Sequence, residues 1–313
     1  MNYTYAILAG VIIGTITRLY MLRTDYRQYP THLHGKIIHV ATGVIAAALG
    51  TVAVPSILEE NFTAVTFLTV AASQFREVRN MERNTLTQLD NYELVSRGAT
   101  YIEGIALVFE SRNYLVIFTS FVTTLVYIIG YHWFDTMTSI YMRNITGAIA
   151  GIIAGIICLL LSKSLMSGKR IKELVEIEHI PLRFEGAGLY IDNIYMLNIG
   201  LPDRQEQILK NGLGFVLKPH NDNVKVTLAN LGQRQAILHD CAIALGVYRD
   251  TGNPSLVPIA KRDLDTGRLA VFILPSDRNV EKAKDIIGWV PVLENAIRLP
   301  KKRLRREREQ AEH

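Results

Sequence analysis

Four long stretches without a charged side chain constrain the fold of this sequence more than any other feature. They cover Met1–Thr17, Ile37–Leu58, Asn113–Phe134 and Asn144–Ser162. A helix needs about 20 mainly apolar residues to cross the hydrocarbon core of a bilayer. The pattern therefore predicts a polytopic α-helical membrane domain in the first half of the chain.

A fifth charge-free stretch, Asn61–Phe75, is shorter than the others. It fits a re-entrant segment, or a crossing helix that continues through polar residues to about Asn80. Loop charge favours the crossing, because Lys and Arg are enriched in cytoplasmic loops. With five crossings and the N-terminus outside, the arginines after the first stretch, the loop 76–112 and the chain after Lys163 are all cytoplasmic. We therefore predict about five transmembrane helices.

The balance of apolar and charged residues changes abruptly near residue 167. This change predicts a transmembrane domain at 1–167 with a cytoplasmic loop at 76–112, a soluble cytoplasmic domain at 168–300 and a basic tail at 301–313. The net charge of +5 is typical of cytoplasmic loops rather than of nucleic-acid binding. We expect the tail to lie along anionic lipid. Nucleic-acid binding and a solvated end are the alternatives for the tail.

The soluble part alternates short strand-like and helix-like stretches, which predicts an α+β or α/β domain. Strands are predicted at Gly188–Ile199, Gly214–Leu217 and Val224–Leu228, a hairpin at Leu256–Asp263 and Arg268–Leu274, and helices at Asp203–Asn211, Gln233–Leu245 and Asn279–Leu299. About 130 residues can bury one ordinary hydrophobic core. A single compact domain is therefore expected after the membrane half.

Small residues recur at four-residue spacing in the fifth predicted helix, at Gly147, Gly151 and Gly155. Such ladders let helix backbones approach closely in lipid. They predict either internal packing of one bundle or a homo-oligomer contact through this helix.

One ionisable side chain, His39, lies inside the second charge-free stretch. An ionisable group within a membrane helix is a functional candidate by default. Its place close to the start of the stretch favours a position at the membrane interface.

The loop 76–112 has two amphipathic parts separated by Ser96–Gly98. The first has an apolar helical stripe, and the second, Thr100–Phe109, leads into the next apolar stretch. Their apolar faces need a partner, so we expect the loop to pack against the soluble domain or another protein.

The hexapeptide Tyr101–Ala106 reads YIEGIA, and the run Phe75–Arg83 reads FREVRNMER. These motifs, and the order of an apolar half followed by a soluble half, resemble the YIEGIA family. The resemblance implies a sporulation-linked membrane protein of endospore-forming Firmicutes, in a forespore or mother-cell membrane. It also implies small soluble capping partners and an association with membrane-bound proteolysis.

Carboxylates near the predicted inner membrane face are the first catalytic candidates. They are Glu77, Glu82 and Glu103, with Arg79 and Arg83 as groups that could orient them or bind an oxyanion. A carboxylate held near apolar surface can act as a general base. The alternative is a helix face with local salt bridges.

Two Asp-Thr-Gly tripeptides, beginning at Asp250 and Asp265, provide an alternative pair of catalytic carboxylates. Aspartic-protease chemistry needs two close carboxylates that share a proton, whereas this tripeptide also suits a turn. His239 and Cys241 point in different directions on a helix, which makes a dyad improbable. No spacing typical of a metal site occurs, and no cofactor is predicted.

Two functional hypotheses follow from these residues and the resemblance. The first is a membrane-associated protease, or its membrane subunit, that cleaves protein substrates under the control of capping partners. The second is a scaffold without enzymatic activity that recruits spore-formation proteins to the membrane.

Overall fold

A computed structural model describes residues 3–25, 33–133, 139–165, 168–248 and 256–297. The chain divides into two compact units that each combine two stretches of sequence. The first comprises Met1–Asn84 and Ile105–Met166, and the second comprises Thr85–Gly104 and Ser167–His313. The predicted basic tail, 301–313, lies outside the described residues.

Five long helices supply the first unit: α1 (Thr4–Asp25), α2 (Leu33–Leu58), α3 (Phe62–Asp90), α4 (Ala99–Trp133) and α5 (Ile140–Leu165). In the described chain, four of them are long and apolar enough to cross a membrane. These candidate spans are Thr4–Leu22, Lys36–Leu58, Ala99–Trp133 and Ile140–Ser164. The four spans correspond to the four long charge-free stretches of the sequence.

The shorter fifth stretch forms the first half of α3, which is one continuous helix of 29 residues. The composition of α3 places it outside the four candidate spans, because its second half is rich in charged residues. The helix is long enough, at about 44 Å, to cross a bilayer and extend beyond it. A re-entrant turn within Asn61–Phe75 does not occur.

Apolar side chains cover much of the outer surface of the first unit. On α5, the residues Ile149, Ile153, Ile156 and Leu160 are each about half exposed. Contiguous apolar surface of this extent is unusual on soluble monomers and is typical of surfaces covered by lipid or protein. The first unit is therefore compatible with a membrane protein.

Close helix packing in the first unit depends on glycine. A Cβ atom on Gly147 would lie 2.8 Å from the Tyr127 carbonyl oxygen, and one on Gly151 would lie 2.9 Å from that of Thr123. A Cβ on Gly155 would lie 2.5 Å from Cγ2 of Ile13. The glycine ladder of α5 therefore packs against α4 and α1 within one chain. Whether it also contributes to a homo-oligomer stays a prediction.

In the part of the second unit that the structure describes, seven strands and four helices follow Ser167. They are β1 (Val175–His179), β2 (Leu182–Glu185), β3 (Gly188–Ile191), β4 (Ile194–Asn198), α6 (Pro202–Asn211), β5 (Leu213–Pro219), α7 (Asp222–Ala229), α8 (Leu231–Leu245), β6 (Ile259–Arg262), β7 (Leu269–Ile273) and α9 (Val280–Trp289). Short 3-10 turns occupy Ile171–Glu173 and Glu294–Ala296.

Both sheets of the second unit are antiparallel. The larger sheet has the order β1-β5-β7-β6, and the smaller has the order β2-β3-β4. The central strands β5 and β7 are buried along most of their length, because the small sheet packs on one face and helices contact the other. Antiparallel strands with helices on one side match the α+β alternative of the prediction.

Three predicted elements of this unit differ from the structure. Val224–Leu228 was predicted as a strand but lies in α7, whose first turn is capped by the Asn221 side chain. Helix α9 ends at Trp289 rather than Leu299, because Pro291 follows and disfavours helical geometry before it. Gly188–Ile199 forms two strands separated by a turn at Asp192, where φ is +54°.

The loop 76–112 was predicted to pack against the soluble domain or another protein, and its middle part, Thr85–Gly104, packs within the second unit, whereas residues 76–84 and 105–112 belong to the first. The Asp90 carboxylate accepts hydrogen bonds from the backbone N–H groups of Arg97, at 2.5 Å, and Gly98, at 3.0 Å. The Gln235 amide donates to the carbonyl oxygen of Ser96, and His239 Nδ1 lies 2.6 Å from that of Val95. These bonds connect the segment to α8.

Candidate functional site

A buried contact between α1 and α2 is the centre of the candidate site in the first unit. Arg18 is 1% exposed and His39 is 3% exposed. The Nη2 atom of Arg18 lies 3.0 Å from His39 Nδ1, and its Nε atom lies 3.5 Å from the His39 carbonyl oxygen. A guanidinium buried this deeply inside apolar helices needs such partners, because an uncompensated buried charge is costly.

The partner of Arg18 determines which nitrogen of His39 carries the proton. A guanidinium only donates hydrogen bonds, so Nδ1 must accept and Nε2 carries the hydrogen in a neutral imidazole. That Nε2 atom faces Oε1 of Glu82 on α3 at 3.7 Å. Glu82, one of the predicted catalytic carboxylates, is therefore the acid at the end of an arginine–histidine–glutamate series.

Phe109 on α4 contacts both His39 and Arg18. Its ring centroid lies 4.7 Å from that of His39 in an edge-on arrangement, and 5.3 Å from Cζ of Arg18. Aromatic faces attract cations, so this ring stabilises the guanidinium without exposing it to water. Four helices thus contribute one side chain each to the site.

Gly43 on α2 makes room for the Arg18 stem. A Cβ atom at this position would lie only 2.4 Å from Cγ of Arg18. Gly43 follows His39 by one helical turn, so both residues lie on the α2 face that contacts α1. Gly43 therefore makes room for the contact between Arg18 and His39.

The other two predicted groups on α3 are placed differently from Glu82. Glu77 is exposed and its carboxylate lies 3.5 Å from Nδ2 of Asn80. Five residues along a helix correspond to about 140° of rotation, so Glu77 and Glu82 point to different sides. Arg79 forms an ion pair with Glu110 of α4 at 2.9 Å. Arg83 is partly buried on the same helix.

The remaining candidates lie in the second unit. Glu103 is partly buried at the start of α4. Asp265 is exposed in the turn between β6 and β7, and its N–H donates to Oδ1 of Asp263 at 3.2 Å. Asp250 lies outside the described residues. The structure therefore does not describe the pair of aspartates together.

A protein family described as YIEGIA protein matches residues 6–303 of this sequence. The chain belongs to the YIEGIA family. It is 60% identical over 299 residues to Uncharacterized protein YphB of Bacillus subtilis (strain 168), and this similarity covers 96% of the chain and 95% of that protein. No solved structure matches. The resemblance seen in the hexapeptide is thus confirmed.

The sequence of this YIEGIA family member predicted the site only in part. Arg18 was assigned to a cytoplasmic loop, whereas it lies inside α1. His39 was named as an ionisable candidate, but its contact with Arg18 was not predicted, and its expected position at the membrane interface stays a prediction. The signal that could have predicted the pair is the combination of His39 within one apolar stretch and Arg18 directly after another, since an ionisable group in a membrane helix needs a partner.

A further polar side chain of the YIEGIA chain lies on the same face of α4 as Phe109. Asn113 follows one turn later and is fully buried. Neither its amide nitrogen nor its amide oxygen has a hydrogen-bond partner among the described residues. An unpaired buried amide is costly, so this position is suited to a small polar ligand or a water molecule.

The cysteine and histidine of α8 do not form a nucleophilic pair. Burial raises the pKa of the Cys241 thiol, which makes the thiolate scarce at neutral pH. Burial also lowers the pKa of His239, whose Nδ1 is bound to Val95. Among the residues that the structure describes, no group of three His, Cys, Asp or Glu side chains could hold a metal ion.

Proposed function

We propose that this YIEGIA family member is a sporulation-linked integral membrane protease whose working carboxylate is Glu82. The observation that carries the proposal is the contact between Glu82 and the neutral His39 imidazole, at 3.7 Å. Ionisable side chains inside apolar helices are expensive and are usually functional. The family resemblance, with its association with membrane-bound proteolysis, supports the same reading.

The proposal includes five crossings, with the N-terminus outside and the second unit in the cytoplasm. Besides the four candidate spans, α3 carries exposed apolar side chains in its charge-free first half, including Phe62, Phe67 and Val70. Lipid contact would remove this surface from water. Five crossings also bring the basic segments of the chain to one side, as the distribution of Lys and Arg favours.

In the proposed reaction, Glu82 accepts a proton from a water molecule as the water oxygen attacks the carbonyl carbon of a peptide bond. The same carboxyl group then donates that proton to the leaving amine. The Nε2–H of His39 faces the carboxylate at 3.7 Å and attracts its negative charge, and Arg18 keeps this tautomer in place. Glu82 is 15% exposed, so it is the member of the series closest to solvent.

The second candidate function is a membrane scaffold that recruits spore-formation proteins through small soluble capping partners. One observation favours it. Arg18, His39, Glu82 and Phe109 come from four different helices, so their contacts also hold the bundle together. A purely structural role would need no substrate to reach the carboxylate.

Conservative variants separate the two functions. Glu82→Gln keeps the size and the hydrogen-bonding capacity but removes the base, so we expect turnover of candidate spore proteins to fall by at least about a hundredfold. Glu77→Gln, on the same helix but exposed, is the matched control and should retain turnover. Loss in Glu77→Gln alone would move the base to Glu77.

If both variants match the parent in turnover and in abundance, the scaffold function replaces the protease. The membrane part of the proposal has a separate test. Alkaline phosphatase fused after Ser167 should be inactive, because the second unit is proposed to be cytoplasmic. Activity of that fusion would reject the topology without deciding between the two functions.

A further inference from the structure

Two basic side chains share one exposed aromatic ring in the second unit. The Trp289 side chain at the end of α9 is 52% exposed. The Arg170 Cζ atom lies 3.6 Å from the centroid of the Trp289 ring, and the Lys172 Nζ atom lies 4.0 Å from it. We call Arg170, Lys172 and Trp289 the basic–aromatic surface.

The backbone holds this surface in place. The segment before β1 pairs with the segment after α9 through an isolated bridge between Arg170 and Pro291. Ile171 donates its N–H to the Val290 carbonyl oxygen at 3.0 Å. A Cβ atom on Gly288 would lie 3.2 Å from Cβ of Lys172, so the glycine lets the lysine lie close against α9. These backbone contacts therefore hold both basic side chains next to the ring.

Arg170 and Lys172 form no ion pair with a carboxylate among the residues that the structure describes. The adjacent acid, Glu173, instead accepts a hydrogen bond from the Arg170 backbone N–H at 3.2 Å. Both positive groups contact one ring, so they are at most about 8 Å apart and repel each other. An anion bound beside the ring would relieve this repulsion, and a phosphodiester has the required charge and hydrogen-bond acceptors.

The position of the surface in the sequence identifies the source of the phosphodiester. Only the segment 165–169 separates Ser164, the last residue of a candidate span, from Arg170. Covalent geometry allows at most about 3.6 Å per residue, so Arg170 stays close to the bilayer surface if α5 spans the membrane. Tryptophan together with Arg or Lys is typical of the interface between lipid and water.

We propose that the basic–aromatic surface binds the headgroups of anionic phospholipids and fixes the second unit to the membrane. The indole enters the interface, and the two cations contact phosphodiesters on either side of it. The inference rests on the membrane part of the proposed function but not on protease activity. It assigns a binding role to residues outside the candidate site around Glu82.

Tryptophan fluorescence tests this directly, because the chain contains two tryptophans. The full-length Trp133→Phe variant, in bilayers with nitroxide-labelled headgroups, reports on Trp289 alone. We expect quenching of Trp289 in phosphatidylglycerol bilayers to fall by about half in phosphatidylcholine bilayers, and likewise at high salt, where charges are screened within a few ångströms. Equal quenching in both lipids, or quenching by aqueous iodide alone, would overturn the proposal.

Charge variants in the same background identify the residues responsible. The pair Arg170→Gln and Lys172→Gln should reduce the quenching in phosphatidylglycerol to the phosphatidylcholine level. The control pair, Arg204→Gln and Lys210→Gln on α6, removes the same charge from exposed positions and should leave quenching unchanged. Equal effects of the two pairs would show a response to net charge and reject a specific surface.

The second tryptophan separates this inference from the proposed membrane function. In a Trp289→Phe variant, Trp133 at the end of α4 reports whether the first unit lies in the bilayer. Quenching of Trp133 by labelled lipid without quenching of Trp289 would reject the lipid-binding surface and leave the membrane proposal standing. Absence of lipid quenching at both tryptophans would reject the membrane proposal itself.

Discussion

Each unit contains a buried polar cluster, and the two clusters are built differently. In the first unit, Arg18, His39 and Glu82 contact one another side chain to side chain. In the second, Asp90 and His239 bind main-chain groups of segment 95–98. Side chains that satisfy the backbone fix a loop, as helix caps do. A series of ionisable side chains among apolar helices costs desolvation energy, and it contacts the main chain only weakly through Arg18 Nε, 3.5 Å from the His39 carbonyl oxygen, which is why we place function in the first unit.

The largest effect that tests this comparison is expected at Arg18. Arg18→Leu removes the guanidinium and its contact with His39 Nδ1, so we expect the first unit to lose about 3–5 kcal/mol. Hydrogen exchange of α1 and α2 in lipid nanodiscs would measure the loss. The control, Arg76→Leu at an exposed position on α3, should change stability by no more than about 0.5 kcal/mol. Equal stability of parent and Arg18→Leu would mean that the series is not integral to the bundle.

The corresponding change in the second unit is Asp90→Ala. It leaves two backbone N–H groups without their acceptor, so the opening free energy of residues 93–98 should fall by about 2 kcal/mol. Hydrogen exchange of this segment is the measurement. Asp90→Asn keeps one acceptor oxygen and should lose about half as much. Unchanged protection in Asp90→Ala would show that the segment is held by its apolar contacts instead.

Asp240 on α8 sharpens the comparison, because it is a partly buried acid in the second unit. Burial raises the pKa of Asp240 to about 6 from the ordinary value of 3.8, although Arg97 opposes the shift. The folded state therefore binds this proton more tightly than the unfolded state, and stability contributed by the protonated acid is lost as pH rises from about 4 to about 6.

We expect Asp240→Asn to stabilise the second unit by on the order of 1–2 kcal/mol at pH 8, with no effect at pH 4. The amide is neutral at both values, so it avoids the cost of burying a charge. Denaturant unfolding of parent and variant at the two pH values tests the sign. A destabilising effect at pH 8 would show that the Asp240 carboxylate makes a net favourable contact with Arg97.

The smallest effect is expected at Asp265. Its side chain is exposed in a turn, so Asp265→Asn should alter stability by no more than about 0.5 kcal/mol and leave turnover unchanged. Asp263→Ala is the informative counterpart, because Asp263 accepts hydrogen bonds from Asp265 and Thr266 and should cost more. Loss of turnover only in Asp265→Asn would place the catalytic carboxylate in the second unit and contradict the assignment of function to the first unit.

Sequence patterns predicted the apolar spans and one member of the candidate site. Charge-free runs are visible in the sequence because lipid excludes charge over a whole helix. Glu82 was predicted from its place near the end of an apolar stretch. His39 was named as an ionisable candidate, but its contacts with Arg18 and Glu82 were not predicted, because the face that α2 presents to α1 depends on packing between helices. Arg18 and His39 are 21 residues apart on different helices, and no local pattern encodes their contact.

In the second unit, local signals succeeded where caps and turns agree with the pattern and failed elsewhere. The β6–β7 hairpin forms where turn residues separate its two predicted strands. Helix α6 begins at Pro202, as the sequence predicted. The valines of Val224–Leu228 favour a strand, but the cap at Asn221 begins a helix there. The strands β1 and β2 were not predicted, because their short alternating patterns resemble loops.

The origin of the second unit from two separated stretches of sequence has a consequence for biosynthesis. Val95 leaves the ribosome long before His239, its hydrogen-bond partner 144 residues later in the chain. At the usual rate of about 5–20 residues per second, this interval is roughly 7–30 s. During that time Asp90 can already close the turn around Arg97, whereas the apolar side chains of the segment lack α8. Chaperones or the insertion machinery therefore encounter residues 85–104 while their apolar side chains are still exposed. A translational pause before α8 would prolong the exposure of this segment.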